Sequence, residues 1–433
     1  MVEDKRWNYK QTTVKQGVYS IMVLMERGPI IIDSSAIVSC YFVEDIFKNC
    51  MSGKLTFQDR YGMQELGGFS GNEKVIIIYG VGDKTRELMF DIWKVGKIAQ
   101  QTASGRTQES ALIEITFIDT FFPNLNLRKY SRSFVQKTTT DIIKWLINKM
   151  MLVENTSLQV DVDDSNTRFD FVMPYWTPRV AINYLMKRSR STTTGEGGYL
   201  YYHNTADEQR SMKLNVKSLN YLLGDVDGTL DPDAYIMSSQ DLTIKNKILE
   251  YTMTGLDRNS NTKIRGGSWK GYNFFRKKLI EQDLTYSEGI DRTILLGGTS
   301  LYGKIDDIAS NISITGEPNQ DLLKNFSYSE WAKRYNMQYI VTITVEGNEK
   351  RFAGQHIQIA WPSYLKQEKF NKALQGKYMI KSVTHHFGPG QNYKYIQKLV
   401  LIKNAYHKMD SSYLMEAINK NITKGKQKTI VRI

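Results

Sequence analysis

The chain has 433 residues, 41% of them hydrophobic and 12% aromatic, with 58 basic against 45 acidic residues and a net charge of +13. This composition excludes a largely disordered protein, and the length implies two to four domains rather than one core. The charge favours an anionic partner such as nucleic acid, a membrane surface or an acidic protein, while the longest apolar runs fall far short of the roughly 20 residues that cross a bilayer, so no stable membrane insertion is expected.

Residues 1–17 read as an N-terminal arm, with charges at Glu3, Asp4, Lys5 and Arg6 where a secretory signal needs an apolar core. Folding in the cytoplasm is the expectation. Between 18 and 122, strand-like pieces at 19–25, 30–32, 36–42, 55–58, 75–79, 87–95 and 111–118 are separated by Gly, Asn and Asp, which predicts an antiparallel barrel or sandwich. The piece at 87–95 continues through Gly96 and Lys97 to polar Gln100-Gln101-Thr102-Ala103-Ser104-Gly105, like a hairpin arm with an exposed tip. Cys40 and Cys50 lack metal-ligand spacing and histidine companions, and read as buried thiols.

At Phe121-Phe122-Pro123 the pattern turns helical. Ile142, Ile143, Leu146, Ile147, Met150 and Met151 recur at helical spacing behind Thr140-Asp141, which are capping residues. A second helix is expected from Thr177-Pro178, because Thr caps free amides and Pro suits the first helical position. With strands at 158–162, 198–202 and 214–216, residues 123–225 read as a small α/β domain.

After 256 the chain is polar, Gly-rich and basic as far as 325, with weak strands at 272–275 and 293–296. This stretch is an inserted peripheral domain or a long loop, although a loop of about 70 residues inside a compact domain would be unusual. Helix signals return at 329–335. Strands then dominate, through Ile357-Gln358-Ile359-Ala360-Trp361-Pro362, Gly376-Lys377-Tyr378-Met379-Ile380 and the pieces at 381–387 and 395–401. Residues 226–256 with 326–406 thus read as a second barrel of the same kind as the first. The remainder, 407–433, is a basic tail in which Leu414, Ile418 and Ile422 recur every fourth residue. A short amphipathic helix docking on a partner and a frayed tail both fit.

Chemistry-bearing motifs are sparse. Gly298-Thr299-Ser300-Leu301-Tyr302-Gly303-Lys304 resembles a phosphate loop, but Ile305 stands where magnesium needs a hydroxyl. Gly195-Glu196-Gly197-Gly198 precedes an aromatic strand rather than a helix, which reads as a flexible loop. His385 and His386 are adjacent, so they face opposite sides of a strand and cannot share a metal. Asp161, Asp163 and Asp164 lack the Gly and distal Glu of a calcium loop, and Glu114 with Asp119 have only their charge to suggest a hydrolase pair. No catalytic residue, cofactor or metal site is expected. The basic clusters Lys187-Arg188-Ser189-Arg190 and Arg276-Lys277-Lys278 read as solvated faces. In an alternative nucleic-acid reading, Tyr199, Tyr201 and Tyr202 beside Lys187 and Arg188 would stack bases.

The succession Gly53-Lys54-Leu55-Thr56-Phe57-Gln58-Asp59, Gly71-Asn72-Glu73-Lys74-Val75, Phe121-Phe122-Pro123, Pro174-Tyr175-Trp176-Thr177-Pro178 and Gly376-Lys377-Tyr378-Met379-Ile380 resembles the baseplate hub protein of contractile-tailed bacteriophages. Related hubs occur in contractile injection machines. The resemblance covers about 18–406 and is carried by the order of its landmarks; the tail after 406 departs from it. It implies a mainly β fold with α+β parts: two tail-tube-like antiparallel β-barrel domains, a small α/β domain and an inserted domain. It further implies a homotrimer in which two such barrels per chain present six similar units, joining a threefold central spike protein to a sixfold tail tube or tube-initiator protein. Peripheral baseplate wedge proteins would meet the outside, DNA would only pass through, and the protein would reside in the virion after assembly in the host cytoplasm. The ring and partner contacts that follow are Gly96, Lys97 and Gly105 on the hairpin arm, Trp361 and Tyr378 on the second barrel, and Leu414 and Ile418 in the tail.

Overall fold

In a computed structural model, the structure describes residues 17–26, 28–59, 69–81, 84–98, 112–154, 159–205, 212–224, 230–236, 247–254, 266–273, 276–296, 299–300, 312–314, 319–337, 339–361, 375–388 and 395–406. The first part holds β1 (Gly17–Met25), β2 (Gly28–Ile32), β3 (Ile37–Asp45), β4 (Ser52–Gln58), β5 (Lys74–Val81), β6 (Lys84–Ile98) and β7 (Leu112–Asp119). There follow α1 (Phe122–Leu127), β8 (Tyr130–Thr138), α2 (Thr139–Glu154), β9 (Gln159–Val162), β10 (Arg168–Trp176), α3 (Pro178–Met186), β11 (Tyr199–Asn204), β12 (Lys213–Ser218) and α4 (Leu219–Leu223). Then come β13 (Leu230–Ile236), β14 (Ile248–Thr254), β15 (Gly266–Asn273), β16 (Lys278–Thr285), α5 (Tyr286–Asp291), β17 (Thr299–Ser300), β18 (Ile312–Ile314) and α6 (Gln320–Asn336). The chain closes with β19 (Ile340–Glu346), β20 (His356–Ala360), β21 (Gly376–Phe387), β22 (Tyr395–Ile402) and β23 (Ala405–Tyr406).

The fold is mainly β with α+β parts. Strands β4, β7 and β19 alternate buried and half-exposed residues along their length, the pattern of a sheet with one face on a core. All seven strands expected before residue 122 are present. The two half-barrels differ from two separate barrels in one respect. They form one 13-stranded sheet, ordered β14-β19-β22-β21-β3-β4-β7-β6-β5-β1-β2, with β13 and β20 attached beside β21. In a closed first barrel β2 would return to β3, but β3 gives that edge to β21 in the antiparallel register Ser382↔Asp45 to Phe387↔Cys40. No pairing among the described residues closes either half.

β21 is the strand that makes this possible. On one edge it pairs with β22 over most of its length; on the other its first residues pair with β20 and its last with β3. Its side chains accordingly enter three cores: Tyr378, Ile380 and Val383 the second half-barrel, Phe387 the first, and Met379 the core between them and α6. Each buried aromatic or aliphatic side chain there contributes about 1.5–3 kcal/mol relative to exposure.

The α/β part is layered on the same plan. In β11, alternate residues serve opposite cores: Tyr199 and Tyr201 pack on α2 and α3, while Leu200 and Tyr202 pack with Trp331 and Tyr335 of α6. Helix α3 begins where the sequence places it, with the Thr177 hydroxyl accepting from the Val180 amide and Pro178 in the first turn. Residues 293–296 are not a strand. Their backbone is held by side-chain amides instead, since Ile294 N–H donates to Asn220 Oδ1 and Leu296 N–H to Asn404 Oδ1, at 3.2 and 2.8 Å. Helix α6 starts at Gln320, nine residues before the signal at Ser329 that announces it, because Asn319 caps it by accepting from the Asp321 amide.

Candidate functional site

The joint between the half-barrels is built around one buried carboxylate. Glu44 lies on β3, fully buried, and four donors from three parts of the chain converge on it. Its Oε1 accepts from the Thr205 hydroxyl at 2.7 Å and from His385 Nε2 at 2.9 Å; its Oε2 accepts from the Ala353 and Thr205 amides at 3.1 and 3.3 Å. A second row backs the first. His385 Nδ1 accepts from the Tyr395 hydroxyl at 2.7 Å, that hydroxyl accepts from Gln397 Nε2 at 2.9 Å, and Gln397 Oε1 accepts from Arg351 at 3.0 Å. The His385 ring is stacked on Phe42, with centroids 4.2 Å apart. Burial holds its pKa below the ordinary histidine value against the opposing pull of Glu44, so the ring is neutral and carries its proton on Nε2.

This has a consequence for stability. The unfolded chain takes up a proton at His385 near pH 6.5 while the folded chain resists it, so stability is full above that pH and falls as pH drops through the window below it. Thermal unfolding midpoints between pH 8 and pH 5 are expected to decline below about 6.5, with His385→Gln flattening part of the decline; a flat profile in the parent protein would contradict this.

A second buried pair, Asp119 with His203, ties the end of β7 to β11. Asp119 Oδ1 also accepts from the Phe121 amide at 2.9 Å, and the other nitrogen of His203 meets the Tyr201 hydroxyl at 3.3 Å. At both joints the named polar atoms are engaged by hydrogen-bond partners within the chain.

Other chemistry-bearing residues are equally occupied. Asp161 binds Lys213 and Lys217, Asp163 accepts from the Ser191 hydroxyl and the Ser218 amide, and Asp164 binds Lys144. Glu114 pairs with Lys54 on the outer face of β7, opposite the inward Asp119, so the two carboxylates do not meet. His386 points away from His385 and packs on Tyr41. Tyr199, Tyr201 and Tyr202, offered above as base-stacking residues, are all buried, and Arg188 is buried against Tyr184. The two cores on either side of β11 consume the tyrosines, and no stacking platform is left there.

The residues expected at ring contacts divide three ways. Gly96 and Lys97 lie near the end of β6, in register with Glu114 and Ile113. Trp361 and Tyr378 are buried in the second core, where Trp361 meets Tyr251 edge-on at 4.6 Å, so their side chains face the interior of the single chain rather than a partner. Gly105, Leu414 and Ile418 lie outside the described residues. Among the described residues the sheet leaves three edge strands open: β14 pairs only with β19, β13 only with β20 and β2 only with β1. Leu249, Tyr251 and Met253 are exposed on β14 and Ile31 on β2.

Sequence reasoning misses Glu44 because its partners stand 161 to 341 residues away in the chain. The local signal is a pair of acids, Glu44 and Asp45, set between apolar Phe42-Val43 and Ile46.

No family model matches this sequence, and no curated protein matches it. Solved structures do. The 43 kDa tail protein of prophage MuSo2 from Shewanella oneidensis matches with a TM-score of 0.56 at 10% identity, over 89% of this chain and 98% of that one. The tail protein from Neisseria meningitidis MC58 matches with a TM-score of 0.55 at 10% identity, over 89% of this chain and 96% of that one. A chain of the Francisella PdpA-VgrG complex matches with a TM-score of 0.52 at 11% identity, over 94% of this chain and 61% of that one. At such identities the likeness is one of fold, and the chain has the fold of the phage tail proteins.

Proposed function

We propose that the chain is the structural baseplate hub of a contractile phage tail. Three copies form a pseudo-sixfold ring that joins a threefold central spike to the sixfold tail tube and lets DNA pass. The observation that carries this reading is the single sheet made of two half-barrels, whose edge strands are left open among the described residues. Two similar faces on each of three chains make six positions around one axis, and a closed ring needs one heterologous contact repeated at each boundary. Open strand edges are suited to that contact. The match over nearly the whole length of two tail proteins supports the role, and the likeness to a chain of a VgrG complex supports a spike as partner.

In this reading, 18–122 and 226–256 with 326–406 are the two tube-like units, 123–225 and 257–325 decorate the outside toward wedge proteins, and 1–17 and 407–433 are the arm and tail. The role is structural rather than catalytic, and the site of action is the virion. DNA in transit must not be gripped, so affinity for duplex DNA at physiological salt is expected to be no tighter than about micromolar; nanomolar binding in a gel shift would favour the nucleic-acid reading instead. Electron-microscopic class averages of the chain assembled with the spike protein of the same genome test the geometry. A ring whose wall divides into six like densities is expected, and a particle with three lobes and an open wall would overturn it.

A further inference from the structure

The outer ribbon of the α/β part carries an unusual surface. β8 and β10 pair only with each other among the described residues, in the register Phe171↔Phe134, Val172↔Ser133, so each strand has a free edge. The inward residues Phe134, Phe171 and Met173 pack on the helices; outward, Val135 and Val172 are 71% and 68% exposed. On the other face, in register with Met173 and Phe169, stand exposed Arg132 and Lys137, and Lys129, Lys149 and Arg168 are exposed as well. None of these five forms an ion pair among the described residues, whereas Lys54, Lys74, Lys144, Lys213 and Lys270 elsewhere each face a carboxylate.

Three of the five are instead laid on aromatic rings. Arg132 stands 4.7 Å from the Trp145 centroid and 5.4 Å from Phe134, Lys149 5.9 Å from Trp145, and Lys129 5.3 Å from Tyr175. A guanidinium stacked this way keeps its rim of N–H donors free for a carboxylate. The nearest acid on the ribbon, Asp170, is engaged by the Gln136 amide and side chain at 2.9 and 3.0 Å.

We propose that an edge of this ribbon docks an acidic strand of a partner protein, whose alternate side chains place aliphatic groups on the face of Val135 and Val172 and carboxylates on the face of Arg132 and Lys137. The free strand edges supply main-chain hydrogen bonds, and the unpaired cations supply charge complementarity. A nucleic acid fits less well, because stacking needs a platform of exposed rings and only Tyr175, with Lys129 over it, is largely exposed here beside the aliphatic Val135 and Val172. The surface belongs to the single chain and stands whether or not the tail reading does.

The test is fluorescence anisotropy of a labelled short peptide of alternating glutamate and valine, titrated with the full chain near physiological salt. Saturable binding is expected, weakened at least about tenfold by Arg132→Glu with Lys137→Glu and about fivefold by Val135→Ser with Val172→Ser. Lys270→Glu, on another surface, leaves it unchanged. Should the charge reversals unfold the chain, Arg132→Gln with Lys137→Gln replaces them. Absence of saturable binding, equal binding of an alternating lysine and valine peptide, or insensitivity to the ribbon substitutions would each overturn the proposal. So would tighter binding of single-stranded DNA in competition, which would assign the surface to nucleic acid.

Discussion

Glu44→Ala is expected to be the most damaging single truncation at the joint, costing about 3–5 kcal/mol of stability. The alanine removes the acceptor for four donors at once. The Thr205 hydroxyl and amide, the Ala353 amide and His385 Nε2 are all left in a site from which water is excluded. A buried donor without its acceptor loses its full hydration, and the His385 ring loses the partner that fixes its tautomer. Because these donors belong to β21, to the end of β11 and to the 353 loop, the damage reaches both half-barrels and the α/β part together. Glu44→Gln keeps one acceptor oxygen and should lose less. Urea unfolding followed by tryptophan fluorescence reports both; an alanine variant within about 1 kcal/mol of the parent would mean that the joint is not what couples the halves.

Gly53→Ala is the second large effect, and it is steric. Gly53 sits in β4 between Phe42 of β3 and Phe117 of β7. A methyl group there would lie 2.3 Å from the Tyr41 carbonyl oxygen and 2.5 Å from the Phe117 ring. Neither neighbour can withdraw. The carbonyl is fixed in a paired strand, and the Phe117 ring is fully buried against Phe90 with centroids 4.9 Å apart. Overpacking of this kind costs about 3 kcal/mol. Gly96→Ala is the matched control, since its methyl group would meet nothing closer than the Glu114 carbonyl at 3.9 Å; a change within about 0.5 kcal/mol is expected. The same urea series measures both, and equal effects at the two glycines would refute the steric argument.

The contrast between these two sites shows what the sequence carries. Alternation is local, so the seven strands before residue 122, the helix expected behind Thr140-Asp141 and found over Thr139–Glu154, and the Thr177-Pro178 start are all written in neighbouring residues. Strand partnership is not local. That β3 turns to β21 instead of closing on β2 depends on residues more than 300 positions apart, and nothing in either strand announces it. Trp361 and Tyr378 show the same limit from the other side. An aromatic residue on an alternating strand marks a buried face, but whether that face is covered by its own chain or by a partner is settled by the third dimension. Residues 293–296 look like a strand because Ile294, Leu295 and Leu296 are apolar; the Ile294 and Leu296 N–H groups are satisfied by asparagine side chains brought from residues 220 and 404.

Native mass across a concentration series, for the chain alone and with the spike protein from the same genome, bears most directly on the hub role. A mass of three chains, formed or sharpened when the spike is present, is the expected result. A stable monomer at every concentration that ignores the spike would contradict it.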